Sequence, residues 1–246
     1  MKHLSLAVAL MFLLCGCSTF KNPSLSSNSL SGQANQLELP IAQLGSALPA
    51  MKPGDERALK LIAADQMVEN GYSAEAVELY REAESLSPRK AKLDLQLAAA
   101  LASAGSYDES LARYERLLKR DKKNVSIINN YAYTLMESGN VAKAEAEFRR
   151  AIAIEPRFEN AATNLGMLLA KQKRYGEALE VLVPVVGESA ANHNLGVAAV
   201  EVGDEGAALR HFTKAVTLPG ASQMSHEFLA TLSKQQSRVL KSGSPR

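Results

Sequence analysis

Three glycines in the central part of the chain, Gly71, Gly105 and Gly139, are spaced by 34 residues. The small and apolar residues around them recur with the same period. A unit of this length accommodates two helices and a turn, and glycine at a fixed place predicts the turn, because glycine readily ends a helix. The sequence therefore predicts helical hairpins that stack on one another, an architecture that buries its core only when several units are joined.

Side-chain size repeats at three further positions of each unit. With the glycine taken as position 15, position 8 is Ala or Gly, position 20 is Ala or Ser, and position 24 is large and apolar. The residues are Ala64, Ala98, Ala132, Gly166 and Gly196 at position 8, Ala76, Ser110, Ala144, Ala178 and Ala208 at position 20, and Tyr80, Tyr114, Phe148, Leu182 and Phe212 at position 24. Small residues predict a close crossing of the two helices, and the large residue fills the space beside it.

This register resembles the tetratricopeptide repeat (TPR). The resemblance implies an all-α, right-handed superhelical solenoid of about five helix-turn-helix units, preceded by a signal peptide and a flexible tether. The units are 57–90, 91–124, 125–158, 159–188 and 189–220, and a capping helix is expected over 221–241. Lys173 replaces the turn glycine of the fourth unit, which has only 30 residues. Pro184 lies in the second helix of that unit and is expected to end it early or bend it, because proline cannot donate the helical hydrogen bond.

The resemblance also implies a concave groove, lined by the first helix of each unit through positions 2, 5, 9, 12 and 13, which binds an extended or helical peptide. The mapped residues are Asn129, Tyr133, Met136, Glu137, Thr163, Met167, Lys171 and His193, with Leu95, Ala99, Val197 and Glu201 beside them, and Asn130, Asn164 and Asn194 at position 6. Tyr133 and Asn129 are the predicted anchors, being amphipathic or polar on a face that should be solvated. Two alternatives remain: Leu95, Ala99 and Val197 pack within the array, and the position-6 asparagines bond to the next unit.

The N-terminus predicts export. Lys2 precedes an apolar run of eleven residues, Leu4 to Leu14, which suits a signal peptide and is too short to span a bilayer stably. The sequence Leu14-Cys15-Gly16-Cys17-Ser18 resembles the lipobox of bacterial lipoproteins. The resemblance implies removal of residues 1–16, acylation of Cys17 and, because Ser rather than Asp follows, location at the periplasmic face of an outer membrane. A general secretory signal is the alternative. Residues 17–53 are rich in Ser, Asn, Gln and Pro and are expected to form a tether.

Composition and motifs argue against catalysis and nucleic-acid binding. The chain has 28 basic and 26 acidic residues, so its net charge of +2 gives no bulk reason to bind nucleic acid. No zinc-ligand spacing, nucleophile elbow or phosphate loop occurs in the sequence. The cationic run Arg116, Lys119, Arg120, Lys122 and Lys123 is expected at a helix C-terminus, where it suits the helix dipole, and phosphate binding is the alternative. No cofactor, metal or enzymatic activity is predicted.

The predicted function is that of a membrane-anchored scaffold. Its groove would bind a peptide segment of an envelope protein, in assembly of a pilus or another envelope complex. The expected partners are this envelope protein and the membrane, which the lipid anchor would reach. The alternatives are a self-associating structural lipoprotein, with stacked solenoid ends forming a homo-oligomer, an adaptor for a peptidoglycan enzyme, and an enzymatic or carbohydrate-binding protein.

Overall fold

The computed structural model describes residues 53–86 and 93–242 of the 246-residue chain. The predicted signal peptide (1–16), Cys17 and all but the last residue of the predicted tether (17–53) lie outside the described residues. The compact unit that contains the repeats extends from Pro49 to Arg246.

The described ranges contain eleven α-helices and no strand. The helices are α1 (Pro53–Glu69), α2 (Ser73–Ser85), α3 (Asp94–Ser103), α4 (Tyr107–Arg120), α5 (Val125–Glu137), α6 (Val141–Ile154), α7 (Glu159–Lys171), α8 (Tyr175–Val186), α9 (Glu188–Glu201), α10 (Glu205–Thr217) and α11 (Gln223–Ser242). They form five hairpins, α1–α2, α3–α4, α5–α6, α7–α8 and α9–α10, followed by α11. The predicted all-α solenoid of helix-turn-helix units is confirmed.

Each hairpin turns at position 15 through a left-handed residue. Gly71, Gly105, Gly139 and Gly203 have φ between 72° and 84°, and Lys173 adopts φ 62° at the equivalent place. The residue after each of them donates its backbone N–H back to the first helix, as in the bond of 2.9 Å from Arg174 to Leu169 O. This bond closes the helix end whether or not glycine is present, which is why the fourth unit keeps the turn without it.

The predicted register describes the packing of every unit. Positions 8, 20 and 24 are buried in all five units. A Cβ atom added at Gly166 would lie 2.6 Å from Cγ of Leu182, and one added at Gly196 would lie 2.8 Å from the Phe212 ring. In the fourth and fifth units, position 24 therefore packs directly on the backbone of position 8. In the second unit, Ser110 at position 20 also donates a hydrogen bond of 2.6 Å to the carbonyl oxygen of Ala98.

The fourth unit is short because its second helix ends early and a single residue links it to the fifth unit. α8 has 12 residues, where α4 and α6 have 14, so it ends early as predicted, but it continues two residues beyond Pro184. Gly187 alone then links α8 to α9, with φ 83°, whereas residues 121–124 and 155–158 link the preceding units. A single residue reverses the chain here because glycine accepts this backbone conformation without steric cost.

The last helix covers the end of the array. Phe228, Leu229 and Leu232 of α11 pack against the buried cluster that contains Phe212. The rings of Phe212 and Phe228 are stacked with their centroids 5.0 Å apart. The capping helix is confirmed, with bounds shifted by one or two residues from those predicted. None of the described helices combines the length and apolar character needed to cross a membrane.

Candidate peptide-binding groove

The centre of the predicted groove is an amphipathic strip on α5 and α7. Tyr133 keeps 41% of its surface exposed, which makes it the large apolar side chain most open to a ligand on α5. Met136 and Met167 are half-buried and rest against the main core cluster. Thr163 is half-buried as well. The strip therefore offers an aromatic ring, two flexible thioethers and a hydroxyl, a combination that suits contact with a mixed peptide surface.

Charged groups are confined to one edge of this strip. Glu137 and Lys171, both at position 13, are exposed at the ends of α5 and α7. The Lys171 ammonium lies 4.0 Å from the Glu201 carboxylate at the end of α9. An exposed pair at this distance contributes little to stability, about 0–1 kcal/mol, so both groups stay accessible to a ligand's own charges.

Asn129 does not lie where the sequence predicts. It is only 7% exposed, so the expectation that it sits on a solvated face is wrong. Its Oδ1 accepts a hydrogen bond of 2.9 Å from Nδ2 of Asn164, and its own Nδ2 donates to Oδ1 of Asn130 at 3.3 Å. Asn129 and Asn164 thus join the third unit to the fourth, because a buried amide is costly unless it is hydrogen-bonded.

The three position-6 asparagines differ from one another. The packing alternative expected each asparagine to bond to the next unit. Asn164 bonds instead to the preceding unit. Asn130 hydrogen-bonds the Tyr114 side chain, and this bond partly offsets the rise that burial causes in the Tyr114 pKa. Asn194 is half-buried on α9. Asn164 and Asn130 therefore contribute first to packing between units, whatever further contact they make.

His193 belongs to the junction with the capping helix. Its Nδ1 lies 2.8 Å from Oγ of the fully buried Ser225 on α11. Its ring also meets Phe212 and Phe228 edge-on, with centroids 5.7 and 6.1 Å away. Burial lowers the His193 pKa. The prediction that His193 lines an open groove is wrong, because α11 covers position 5 of the last unit.

The flanking residues divide between groove and core. Leu95 on α3 is 43% exposed, so it extends the strip towards the second unit. Val197 on α9 packs against the cluster that contains Phe212, as the packing alternative expected, and Ala99 is half-buried. The accessible part of the candidate site therefore consists of Leu95, Tyr133, Met136, Glu137, Thr163, Met167, Lys171 and Glu201.

Metal chemistry finds no support in the described part of the chain. No group of three or more His, Cys, Asp or Glu side chains there is arranged to hold a metal ion. What the strip offers is a surface for noncovalent contact.

Known proteins resemble the chain in fold. The family model of the middle TPR-like domain of cilia and flagella-associated protein 70 matches residues 93–202. A tetratricopeptide repeat protein from Parabacteroides merdae ATCC 43184 is 19% identical, with a TM-score of 0.54 over 76% of this chain and 76% of that chain. MamA 41-end from Desulfovibrio magneticus RS-1 is 22% identical, with a TM-score of 0.52 over 70% of this chain and 99% of that chain. No curated protein matches the sequence.

A thermophilic TPR protein from Thermus thermophilus is also similar, at 15% identity and a TM-score of 0.50 over 72% of this chain and 98% of that chain. The repeat register, the hairpin packing and these matches agree. The described part of the chain has the fold of a tetratricopeptide repeat solenoid. Stacking of repeats in a solenoid creates an extended concave surface.

Proposed function

We propose that the protein is an acylated scaffold of the bacterial cell envelope whose concave strip binds a peptide segment of an envelope protein. The observation that carries the proposal is the exposed Tyr133 at the centre of the array, flanked by Met136 and Met167. Side chains with an apolar body and a polar tip dominate binding energy at protein interfaces. Methionine adapts its shape to irregular apolar partners.

The charge of the strip specifies the chemistry of the peptide. Among the described residues of the strip, only Glu137, Lys171 and Glu201 carry charge, and they lie at helix ends. A peptide with apolar and uncharged polar side chains therefore matches the centre, and any charged residue of the peptide belongs at the edge. A strongly acidic or basic peptide would leave charges facing Leu95, Tyr133 and Met167, where they would be desolvated without a partner.

Membrane attachment rests on the lipobox-like sequence that ends in Cys17. Acyl chains on Cys17 would hold the protein at the periplasmic face of the outer membrane. More than one acyl chain is needed for stable anchoring. The solenoid would then hold an envelope protein near that membrane, as assembly of a pilus or a comparable complex requires. The peptide-binding strip and the anchor are separate, so each is tested by its own variant.

The test of peptide binding compares two exposed tyrosines. Tyr133→Ala removes the central anchor, and Tyr72→Ala removes a tyrosine that is 56% exposed in the turn between α1 and α2. We expect crosslinking and pull-down from native membranes to lose the captured protein with Tyr133→Ala and to keep it with Tyr72→Ala, because truncating a central anchor costs about 2 kcal/mol or more.

Charge reversal at Arg149, on the second helix of the third hairpin, tests whether the partner binds the other face of the solenoid. Arg149→Glu alters α6, where Arg149 is paired with Glu145 and Glu177. If Arg149→Glu abolishes capture while Tyr133→Ala does not, the partner binds the second-helix face and the groove proposal is wrong. If the captured protein is the chain itself, self-association replaces the peptide-binding function.

A further inference from the structure

A cationic surface lies at the C-terminal end of α4, outside the proposed groove. Arg113, Arg116 and Arg120 follow one another along one face of this helix, three and then four residues apart. Lys119 lies on the same two turns, and Lys122 and Lys123 follow in the loop before α5. The predicted placement of this run at a helix C-terminus is confirmed, but the helix dipole alone does not explain how its arginines are arranged.

One buried carboxylate holds three guanidinium groups. Asp94, at the start of α3, is 7% exposed. Its Oδ1 accepts hydrogen bonds from Nη1 of Arg113 at 3.4 Å and from Nη2 of Arg116 at 3.1 Å, and its Oδ2 accepts one from Nη1 of Arg120 at 3.3 Å. The guanidinium groups of Arg116 and Arg120 are therefore held by different oxygens of the same carboxylate.

The three arginines of this network differ in exposure and in their number of carboxylate partners. Arg113 is buried and also pairs with Glu84 at 3.4 Å and Glu109 at 3.3 Å, so its charge is compensated. The side chains of Arg116 and Arg120 are 46% and 48% exposed, and within the described residues Asp94 is the only carboxylate that either of them pairs with. Two exposed guanidinium groups therefore share one buried carboxylate, although the three arginines face three carboxylates in all.

The excess positive charge at this end of α4 comes from its lysines. No carboxylate in the described part of the structure lies within ion-pair distance of Lys119, Lys122 or Lys123. A second arginine cluster on α6 and α8 shows the contrast, because there Arg149 and Arg174 face both Glu145 and Glu177. Two cations and two anions cancel in that cluster, whereas the end of α4 retains the positive charge of its lysines.

We propose that Arg116 and Arg120 form a phosphate-binding pair, positioned by Asp94 and Arg113. Each guanidinium carries five N–H donors and gives one hydrogen bond to Asp94, so donors remain for an oxyanion. Planar guanidinium groups bind phosphate bidentately, and holding them in place before binding lowers the entropy lost on binding. The ligand is the phosphate group of a phospholipid headgroup or of a small soluble phosphate, with the lysines supplying further attraction.

The first test measures pyrophosphate binding to the full chain by calorimetry at about 20 mM salt, where exposed charges are weakly screened. We expect Arg116→Gln combined with Arg120→Gln to weaken binding about tenfold, because charge-assisted hydrogen bonds to both groups are lost. The matched control combines Arg149→Gln with Arg174→Gln, which removes the same two charges from the balanced cluster and should leave the affinity within about twofold.

A second variant separates guanidinium geometry from charge. Arg116→Lys combined with Arg120→Lys keeps both charges and removes the planar donors, so we expect binding about fivefold weaker than that of the original chain. Circular dichroism establishes folding. If either double variant is unfolded, Arg120→Gln replaces it, because among the described carboxylates this exposed residue pairs with Asp94 alone, and about threefold loss is expected.

Vesicle sedimentation then identifies the source of the phosphate. Binding to phosphatidylcholine vesicles with added phosphatidylglycerol, reduced by the Arg116→Gln and Arg120→Gln pair, assigns the site to lipid headgroups. Pyrophosphate binding without such a vesicle effect assigns it to a soluble phosphate. The proposal is overturned if neither probe binds, if the control pair loses as much affinity, if the lysine pair binds fully, or if poly-glutamate binds more tightly than pyrophosphate.

Discussion

Two glycines inside helices serve packing rather than backbone conformation. Gly166 and Gly196 occupy position 8, where the first three units have alanine, and Leu182 and Phe212 lie against their backbones. Even a methyl group at Gly166 would come within 2.6 Å of Leu182. The fourth and fifth hairpins thus cross more closely than alanine permits. The lower helix propensity of glycine costs about 1 kcal/mol per residue, and the closer packing of the two helices offsets this cost.

We therefore expect Gly166→Ala to lower the free energy of unfolding by about 1–3 kcal/mol, because the overpacking outweighs the gain in helix propensity. The control is Gly176→Ala in α8, since nothing lies within 4 Å of a Cβ atom added there. That substitution should raise stability by about 0.5–1 kcal/mol. Urea denaturation of the two variants measures the difference, and equal effects would show that the crossing relaxes freely.

The burial of Gly166 could be predicted from sequence, whereas the burial of Asn129 could not. The burial of Gly166, Ala144 and Phe148 follows from side-chain size in a repeating register, which the sequence shows directly. The burial of Asn129 follows from a partner 35 residues away, and no local pattern shows that pairing. His193 and Asp94 were beyond prediction for the same reason, because Ser225 and the arginines of α4 reach them across helix boundaries.

At the scale of elements, α11 is joined to the solenoid through a histidine. His193 donates to or accepts from Ser225 and meets the stacked rings of Phe212 and Phe228 edge-on, and burial lowers its pKa. No charged group of α9, α10 or α11 contributes to that shift among the described residues. The neighbouring His211 also has a lowered pKa, from burial and from Arg210, which the Asp204 carboxylate partly opposes. The environment at the cap therefore favours the neutral form of the His193 imidazole.

The sign of the pH dependence follows. Because the folded-state pKa of His193 lies below its unfolded value, about 6.5, the unfolded chain binds more protons as the pH falls through that value. Stability is therefore full above about pH 6.5 and is lost between that pH and the folded pKa, at about 1.4 kcal/mol per unit of pKa difference. We expect thermal melting in His193→Gln to depend less on pH between about 7 and 5.

His226→Gln provides the matched control, since this histidine is exposed on α11. Its melting profile should follow that of the original chain. A loss of stability at low pH that His193→Gln leaves unchanged would assign the effect to His211, for which His211→Gln gives the direct comparison.

The junction between α8 and α9 is the other element with a distinct character. Pro184 cannot donate the helical hydrogen bond, and Gly187 alone connects the two helices. We expect amide hydrogen exchange at residues 181–190 to be faster than at residues 144–153 of α6, because fewer backbone bonds resist local opening. Equal protection in the two segments would mean that packing fully compensates for the lost bond.

At the scale of the whole molecule, the proposed anchor and the solenoid are separate parts of the chain. Cys17 lies 36 residues before the first residue of α1, and the repeats end in a capping helix. Each hairpin packs mainly against its sequence neighbours, so stability of the array accumulates unit by unit. Loss of the anchor should therefore change location and leave the fold intact.

Cys17→Ser tests this separation. We expect the variant to leave the membrane fraction and to lose palmitate labelling, because no acyl chain can then be attached at that position. Its thermal unfolding should match that of the original chain. A variant that still sediments with membranes and still incorporates palmitate would show that the lipobox interpretation is wrong.

The hydrogen bond between Asn164 and Asn129 links peptide binding in the groove to the flexibility of the solenoid. This bond holds the third unit to the fourth, and Asn129 lies beside Tyr133 on the same helix. A peptide that bound the Asn129 amide would have to compete with the solenoid for it. Such a ligand would weaken the contact between the third and fourth hairpins and make the solenoid more flexible at its midpoint. A ligand that contacted Tyr133 alone would leave that contact unchanged.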